Sequence, residues 1–209
     1  IAPEPIGPVP GGERITVIDC LRGAALFGII TANMRGFNAP VSAYIQPSLM
    51  WTWLPDRLAQ ALVDWLVQGK FITIFAALFG IGFAIQMDRA AARHQGVGFY
   101  IRRMAGLLLI GIVHAFGLWW GDILISYAVC GFFLPLFRNL SQRAVLRWAH
   151  IMYWFMVALF MAFYVATLFG VAPPSPPQRP LQETIEIYAR GTFAQIFAIR
   201  AEEWTTLNS

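Results

Sequence analysis

Residues 104–137 of the chain read MAGLLLIGIVHAFGLWWGDILISYAVCGFFLPLF, and this stretch decides the fold. It contains two apolar runs, Met104 to Trp120 and Ile123 to Phe137, on either side of Asp122. A membrane-spanning helix needs about 20 mainly apolar residues, and tryptophan favours the level of the lipid headgroups. The stretch therefore predicts two spans, the second of them short, joined by a tight hairpin whose tryptophans lie at the membrane surface.

Three further apolar runs of similar length lie elsewhere in the chain: Ile15 to Met34, Leu62 to Met87 and Val145 to Phe169. The 209 residues are 58% hydrophobic and 12% charged, which is about half the charged share of a soluble globular domain. Only two cysteines are present, so a disulfide-rich scaffold is excluded. We therefore predict an all-α fold, a polytopic membrane helical bundle with about five transmembrane helices over residues 15–169.

Two segments flank this bundle. Residues 1–14 form a Pro/Gly-rich tail, and residues 170–209 begin with a proline-rich linker. From Leu181 to Trp204, apolar residues recur at near-helical spacing among acidic and basic ones. We predict an amphipathic helix there, with a break at Gly191. This helix lies either in the membrane interface or in a linker outside the membrane.

The basic residues indicate the orientation, because lysine and arginine that flank a span tend to stay in the cytoplasm. They are concentrated in two loops on the same side of the predicted bundle: Arg89, Arg93, Arg102 and Arg103 in the first, and Arg138, Arg143 and Arg147 in the second. The hairpin opposite has no basic residue. The N-terminus is therefore predicted to be cytoplasmic. Because the arginines are spread between apolar runs, we expect lipid headgroups as partners and no nucleic acid.

Charged side chains inside a span cost roughly 2.5 to 3.5 kcal/mol on insertion scales, so each requires an explanation. Asp19 and Arg22 are three residues apart and share one helical face, where they form either a structural ion pair or part of a polar path for substrate. Lys70 lies several residues into the second predicted span. Its long side chain either reaches the membrane surface or joins the same polar path.

His114 is the candidate catalytic residue, because a neutral imidazole is the commonest general base near physiological pH. Arg103, Leu107, Ile110 and His114 lie on one face of the third span, and the first and last are about 16 Å apart along the helix axis. This face combines a cationic end with a deep base. The alternative is a buried histidine whose only role is a hydrogen bond within the bundle.

Asp122 is predicted to cap the fourth span, since Gly121 precedes it and an apolar helix follows. Its alternative role is to orient a nearby histidine. The sequence contains no spacing typical of zinc, haem or iron–sulfur ligands, so no metal site and no tightly bound cofactor are expected.

Taken together, the motifs resemble the YeiB-like family of bacterial multi-pass membrane proteins. This family is grouped with transmembrane acyltransferases related to heparan-α-glucosaminide N-acetyltransferase. The matching pieces, in order, are Arg14-Ile15, Asp19-x-x-Arg22-Gly23, Ala25-Leu26-x-Gly28, Asn33, Gly69-Lys70-Phe71, Leu78-Phe79-Gly80, Arg102-Arg103, His114, Gly121-Asp122-Ile123-Leu124, Tyr127-Ala128, Tyr188-x-x-Gly191 and Arg200.

The resemblance implies a membrane acyltransferase of the bacterial inner membrane that passes an acyl group from cytoplasmic acyl-coenzyme A to an extracytoplasmic acceptor. In that case Arg102 and Arg103 hold the phosphates of this co-substrate. His114 deprotonates the acceptor, and Asp122 orients the histidine or the acceptor. Asp19, Arg22 and Lys70 line the polar path.

Family members continue with several more spans after the segment that matches Tyr188 to Arg200. The chain also starts at Ile1 and stops in a polar stretch, so we expect it to represent the N-terminal half of a family member. The alternative function is a non-catalytic structural or accessory transmembrane subunit, with protein partners in a larger membrane complex or in a homo-oligomer.

Overall fold

The computed structural model describes residues 15–94, 96–171 and 179–208, and every regular element within these ranges is helical. The predicted all-α class is confirmed. The predicted tail, residues 1–14, and the prolines at positions 173–177 lie outside the described residues.

Nine α-helices follow one another along the described chain: α1 Thr16–Asn33, α2 Val41–Ile45, α3 Leu54–Leu66, α4 Lys70–Ala92, α5 Gly98–Val113, α6 Leu124–Phe133, α7 Gln142–Leu168, α8 Leu181–Arg190 and α9 Phe193–Asn208. A 3-10 turn continues α1 over Met34–Phe37, another continues α6 over Leu134–Phe137, and a π-helix continues α5 over His114–Leu118.

Four helical segments of the described chain are long and apolar enough to cross a membrane: Thr16–Phe37, Leu54–Ala92, Gly98–Leu118 and Gln142–Leu168. The helix predicted as the fourth span forms a shorter apolar segment, Leu124–Phe137. This pattern is that of a membrane protein, and its one short apolar segment is the fourth, as the sequence predicted.

The predicted second span, Leu62 to Met87, is not one helix. α3 ends at Leu66 and α4 begins at Lys70, and Gly69 between them has a φ of 76°. Glycine adopts this left-handed conformation without strain, which makes it the usual residue where a helix stops. The Lys70 ammonium donates a hydrogen bond to the carbonyl of Trp65, so it closes the last turn of α3. Lys70 therefore starts a helix and does not lie inside one.

α3 is an amphipathic helix that the run of apolar residues concealed. Leu54, Leu58 and Leu62 recur every fourth residue and are all more than half exposed. On another face of the helix, Asp64 forms an ion pair of 3.1 Å with Arg35, just beyond the end of α1.

The described chain divides into two compact units. One comprises the residues up to Phe132 together with those from Arg179 onward, and the other comprises Phe133 to Gln178. The second unit contains α7, a helix of 27 residues in which none is buried. The first unit contains the core, whose most buried side chains include Tyr100, Met104 and Ala128.

The main helix pair of the first unit is α1 against α4, and glycines allow its close approach. The Phe71 ring of α4 occupies the space where Gly28 would carry a Cβ atom. Farther along, the Arg22 guanidinium lies over Gly82 and donates a hydrogen bond of 3.4 Å to the carbonyl of Leu78. Ala76, Gly80 and Ala84 recur every fourth residue of α4 but do not form this contact surface, since Ala76 and Ala84 are exposed.

The contact between Gly28 and Phe71 predicts that Gly28→Ala destabilises the chain. The new methyl group overlaps the aromatic ring, and overpacking of this kind costs about 1 to 3 kcal/mol. Gly23→Ala in the same helix is the matched control, because nothing lies within 4 Å of its Cβ position. It should leave stability unchanged or raise it by up to about 1 kcal/mol. Denaturant titration in mixed micelles measures both values, and equal stability of the two variants would contradict this packing.

Candidate functional site

His114 and Asp122 meet at the turn between α5 and α6. The Nδ1 atom of His114 lies 2.8 Å from Oδ1 of Asp122. The Asp122 side chain is 0% exposed, whereas that of His114 is 32% exposed. The structure thus brings a fully buried carboxylate against one nitrogen of a histidine that is partly exposed at the surface of the chain.

The second oxygen of Asp122 is used as well. Oδ2 accepts a hydrogen bond of 2.9 Å from the backbone N–H of Ile125, in the first turn of α6. The two roles that the sequence left open for Asp122, capping the helix and orienting a histidine, are therefore both present in its contacts. A buried carboxylate without such partners would be strongly unfavourable.

The contact with Asp122 determines the tautomer of His114. A carboxylate only accepts, so Nδ1 carries the hydrogen and donates it, and the Nε2 lone pair remains available. The same arrangement of carboxylate and imidazole activates nucleophiles in enzymes with a catalytic triad. His114 can therefore take a proton at Nε2 while Asp122 stabilises the imidazolium that forms.

The histidine is also the first residue of the π-helix His114–Leu118. Single π-turns of this kind are rare and occur frequently at functional sites. α9 packs on this turn. The Arg200 guanidinium of α9 donates a hydrogen bond to the carbonyl of Gly117. The ring centroids of Phe116 and Trp204 are 5.7 Å apart. α9 thus packs against the irregular turn that carries His114.

Trp119 connects the histidine with a neighbouring cavity. Its ring packs edge-on against His114 at a centroid distance of 6.2 Å, and its indole N–H donates a hydrogen bond of 2.8 Å to the carbonyl of Gly36. Trp119 is also part of the wall of a cavity of about 370 Å³, to which Tyr188 and Arg200 contribute from α8 and α9. This volume lies within the range of small-molecule sites.

Beside this cavity lies a buried carboxylate that sequence reasoning missed. Glu203 is 5% exposed. Its Oε1 atom accepts a hydrogen bond of 2.9 Å from the backbone N–H of Val41, and its Oε2 atom accepts one of 2.5 Å from the Tyr188 hydroxyl. Burial raises the pKa of the Glu203 carboxyl, although both hydrogen bonds act in the opposite direction. The pKa of Tyr188 is also raised, first by burial and then by the bond to Glu203.

The predicted amphipathic segment forms two helices, α8 and α9, with Gly191 between them. α9 contributes buried Ile199 and Glu203 to the first unit. Only the spacing of Glu203, four residues after Ile199, could have indicated that it lies on the packed side.

The other predicted site residues are distributed over the first unit. Asp19 and Arg22 form an ion pair of 3.5 Å in α1, while Lys70 is exposed and bonded to Trp65. Arg22 and Arg103 line one cavity of about 220 Å³, whereas neighbouring Arg102 is not among its lining residues, although both Arg102 and Arg103 are exposed. The structure therefore brings Arg22 together with Arg103 at one cavity, and Lys70 is not among the residues that line it.

The face of α5 that runs from Arg103 to His114 is open. Ile110 on this face is 60% exposed in the described chain. Within the same described ranges, no group of three or more His, Cys, Asp or Glu side chains is arranged to hold a metal ion.

The chain is similar to three bacterial proteins. It is 33% identical over 203 residues to the uncharacterized protein YxaH of Bacillus subtilis, an alignment that covers 90% of this chain and 48% of YxaH. It is 35% identical over 120 residues to the uncharacterized protein YeiB of Escherichia coli, covering 57% of this chain and 30% of YeiB. The third is an uncharacterized 39.9 kDa protein of Bacillus acidopullulyticus, encoded in the region 3′ of an amylase. It is 31% identical over 167 residues, covering 79% of this chain and 44% of that protein.

These similarities support a relationship with a YeiB-like family. The chain spans about half the length or less of the relatives it matches. No family model matches the chain. No solved structure matches it either.

The raised pKa of Glu203 predicts a specific pH dependence of stability. The folded chain binds this proton more tightly than the unfolded chain, so the contribution of Glu203 is present below its ordinary pKa of 4.5 and is lost as the pH rises through the raised value. Glu203→Gln carries no such titration. The melting temperature of Glu203→Gln relative to the unmodified chain should therefore increase between about pH 4 and about pH 8.

Glu186→Gln is the control for this measurement, because Glu186 is an exposed residue of α8. Its melting temperature should follow that of the unmodified chain at every pH. If the Glu203→Gln and unmodified curves are parallel, the buried environment assigned to Glu203 is wrong.

Proposed function

We propose, from the similarity to YeiB-like proteins and from the His114–Asp122 pair, that the chain forms part of a membrane acyltransferase. The donor is cytoplasmic acyl-coenzyme A, and the acceptor carries a hydroxyl or amine on the other side of the membrane. The observation that carries the proposal is the 2.8 Å contact between Nδ1 of His114 and a carboxylate with no solvent exposure.

In the proposed reaction, Nε2 of His114 removes a proton from the acceptor while the acceptor oxygen or nitrogen attacks the thioester carbonyl of the donor. A new C–O or C–N bond forms, and the C–S bond breaks as the tetrahedral intermediate collapses. The imidazolium then returns its proton to the leaving thiolate, so the histidine ends the cycle neutral. The Asp122 carboxylate holds the ring and stabilises the imidazolium in between.

The donor's phosphates are proposed to bind at the opposite end of α5, where Arg102 and Arg103 are adjacent. Arginine pairs bidentately with phosphate, which favours it at such sites. Along α5, Arg103 and His114 are separated by eleven residues, or about 16 Å. The acyl arm of the donor would lie along the face of α5 that contains Ile110 and reach the histidine with its thioester.

The acceptor is proposed to approach from the cavity beside Trp119. Its aromatic wall and the Arg200 guanidinium suit a polar molecule with an exposed ring or acidic group. The arginine-rich loops at the far end of α5 favour a cytoplasmic N-terminus in the bacterial inner membrane, which puts donor and acceptor on opposite sides.

The proposal predicts that His114→Ala lowers acyl transfer by about 10²- to 10⁴-fold, the usual contribution of a positioned general base. The assay uses inner-membrane vesicles that contain the full chain and the natural acceptors, with radiolabelled acetyl-coenzyme A as donor. It measures both the label transferred to acceptor and the release of free coenzyme A thiol. His150→Ala, which changes an exposed histidine of α7, is the control and should transfer at the unmodified rate.

Asp122→Asn provides an independent prediction. If the oxygen of the new amide still accepts the hydrogen bond from the Ile125 N–H, the NH₂ group of the amide faces Nδ1 of His114 and donates a hydrogen bond to it. The ring hydrogen of His114 then lies on Nε2, so this nitrogen can no longer act as the base. Transfer should fall as it does in His114→Ala, while circular dichroism shows the same helix content. Full transfer by either folded variant would exclude this mechanism.

The alternative function, a non-catalytic accessory subunit, is favoured by one specific observation. α7 is long, apolar and without a single buried residue in the described chain, and an exposed apolar surface of this size is typical of a face that contacts lipid or protein. In this case the chain should co-purify with a partner at a fixed ratio, and His114→Ala should change neither the ratio nor any activity of the complex. Native mass spectrometry of the purified protein distinguishes the two functions.

A further inference from the structure

The cavity of about 220 Å³ that Arg22 and Arg103 line has walls from α1, α4 and α5 of the first unit. The rest of its wall is mostly aromatic and aliphatic, with Phe75, Phe79 and Phe83 from α4. Two permanently charged groups thus face a small space with apolar walls.

The positive charge of this cavity is only partly compensated. Arg22 contacts Asp19 at 3.5 Å, and both side chains are partly exposed. Arg103 forms no ion pair with any acidic residue in the described ranges. Two arginines and one weakly held carboxylate leave a net positive charge beside this cavity, and paired arginines of this kind suit an anionic group.

Two further polar groups of the cavity wall lack partners. The Tyr100 hydroxyl is buried on a residue that is only 1% exposed, and it has no hydrogen-bond partner among the described residues. The Oε1 atom of Gln86 is buried and equally without a partner there. More than nine in ten buried polar groups in proteins are hydrogen-bonded, so two unused groups beside one cavity point to a missing ligand.

The chemistry of these groups selects the ligand. Two guanidinium groups, a hydroxyl and an amide can together provide several donors, since the amide NH₂ and oxygen exchange places by rotation. Phosphate oxygens accept such charge-assisted hydrogen bonds strongly, and arginine forks match their geometry. The volume is below the 300 to 1,000 Å³ of sites that enclose a whole drug-sized ligand, so only a small group fits.

We infer that this cavity binds a phosphate group, with Arg22 and Arg103 as its charge partners and Tyr100 as a neutral donor. A lipid headgroup or a soluble phosphate ester could present this group. The inference rests on the proposed function only where the phosphate is that of the acyl donor. Binding at the cavity can be measured whether or not the chain transfers acyl groups.

The test measures binding to the full chain in nanodiscs with two probes. In nanodiscs of phosphatidylcholine alone, calorimetry follows the binding of inorganic pyrophosphate. In nanodiscs of phosphatidylcholine and phosphatidylglycerol, native mass spectrometry follows the phosphatidylglycerol that stays bound. Saturable binding of pyrophosphate identifies a soluble phosphate ester as the source, and specific retention of phosphatidylglycerol identifies a lipid headgroup. Either result supports the inference if the variants below abolish it.

Arg22→Gln and Arg103→Gln should each weaken binding by about tenfold or more, because each removes one charge-assisted contact. Arg93→Gln is the matched control: it changes the same charge at an exposed position at the end of α4, outside the cavity, and should bind within about twofold of the unmodified chain. Equal weakening in all three variants, or no binding of either probe, overturns the inference.

Tyr100→Phe separates a ligand contact from a structural role. It removes only a hydroxyl that has no hydrogen bond to lose, so the ligand-free melting temperature should not fall, while the affinity should fall several-fold. A lower melting temperature with unchanged affinity would contradict the assignment. His114→Ala should bind both probes normally, so a failure of the acyltransferase proposal and a failure of this site give different results.

Discussion

The buried carboxylate of Asp122 is the constraint on which the functional end of the molecule depends. Its two oxygens bind the ring of His114 and the first turn of α6, so one side chain joins the end of one apolar helix to the start of the next. A carboxylate with no solvent exposure must retain both partners. The position of the imidazole, the π-turn that carries it and the tight reversal of the chain are consequently linked.

The sequence was sufficient for the features that depend on composition and local spacing. Long apolar runs predicted the membrane helices, and the Gly-Asp pair between two of them predicted the reversal at Asp122. The three-residue spacing of Asp19 and Arg22 predicted a pair on one helical face, and the structure has it. These features follow from the period of the helix and from the cost of charge in lipid, and both can be read along a single segment.

The remaining features depend on contacts between distant segments. Glu203 lies 162 residues from Val41 and accepts a hydrogen bond from its backbone N–H. Nothing in the sequence near either residue indicates this pairing. The Arg22 guanidinium extends over Gly82 because that residue has no Cβ, so a position that looks like a helix-packing glycine holds a charge instead. The break at Gly69 was hidden for another reason: the apolar run from Leu62 to Met87 joins the last turn of α3 to α4.

The junction between α3 and α4 also gives the chain a unique chemical handle. Lys70 is the only lysine among the 209 residues, and its ammonium is exposed at this junction. Within these 209 residues, an amine-selective reagent or a lysine-specific protease therefore has one internal target, located between the amphipathic helix and the long apolar helix. Whether such a reagent acts from the inside or the outside of sealed vesicles would fix the sidedness of the protein at a natural residue, without an introduced label.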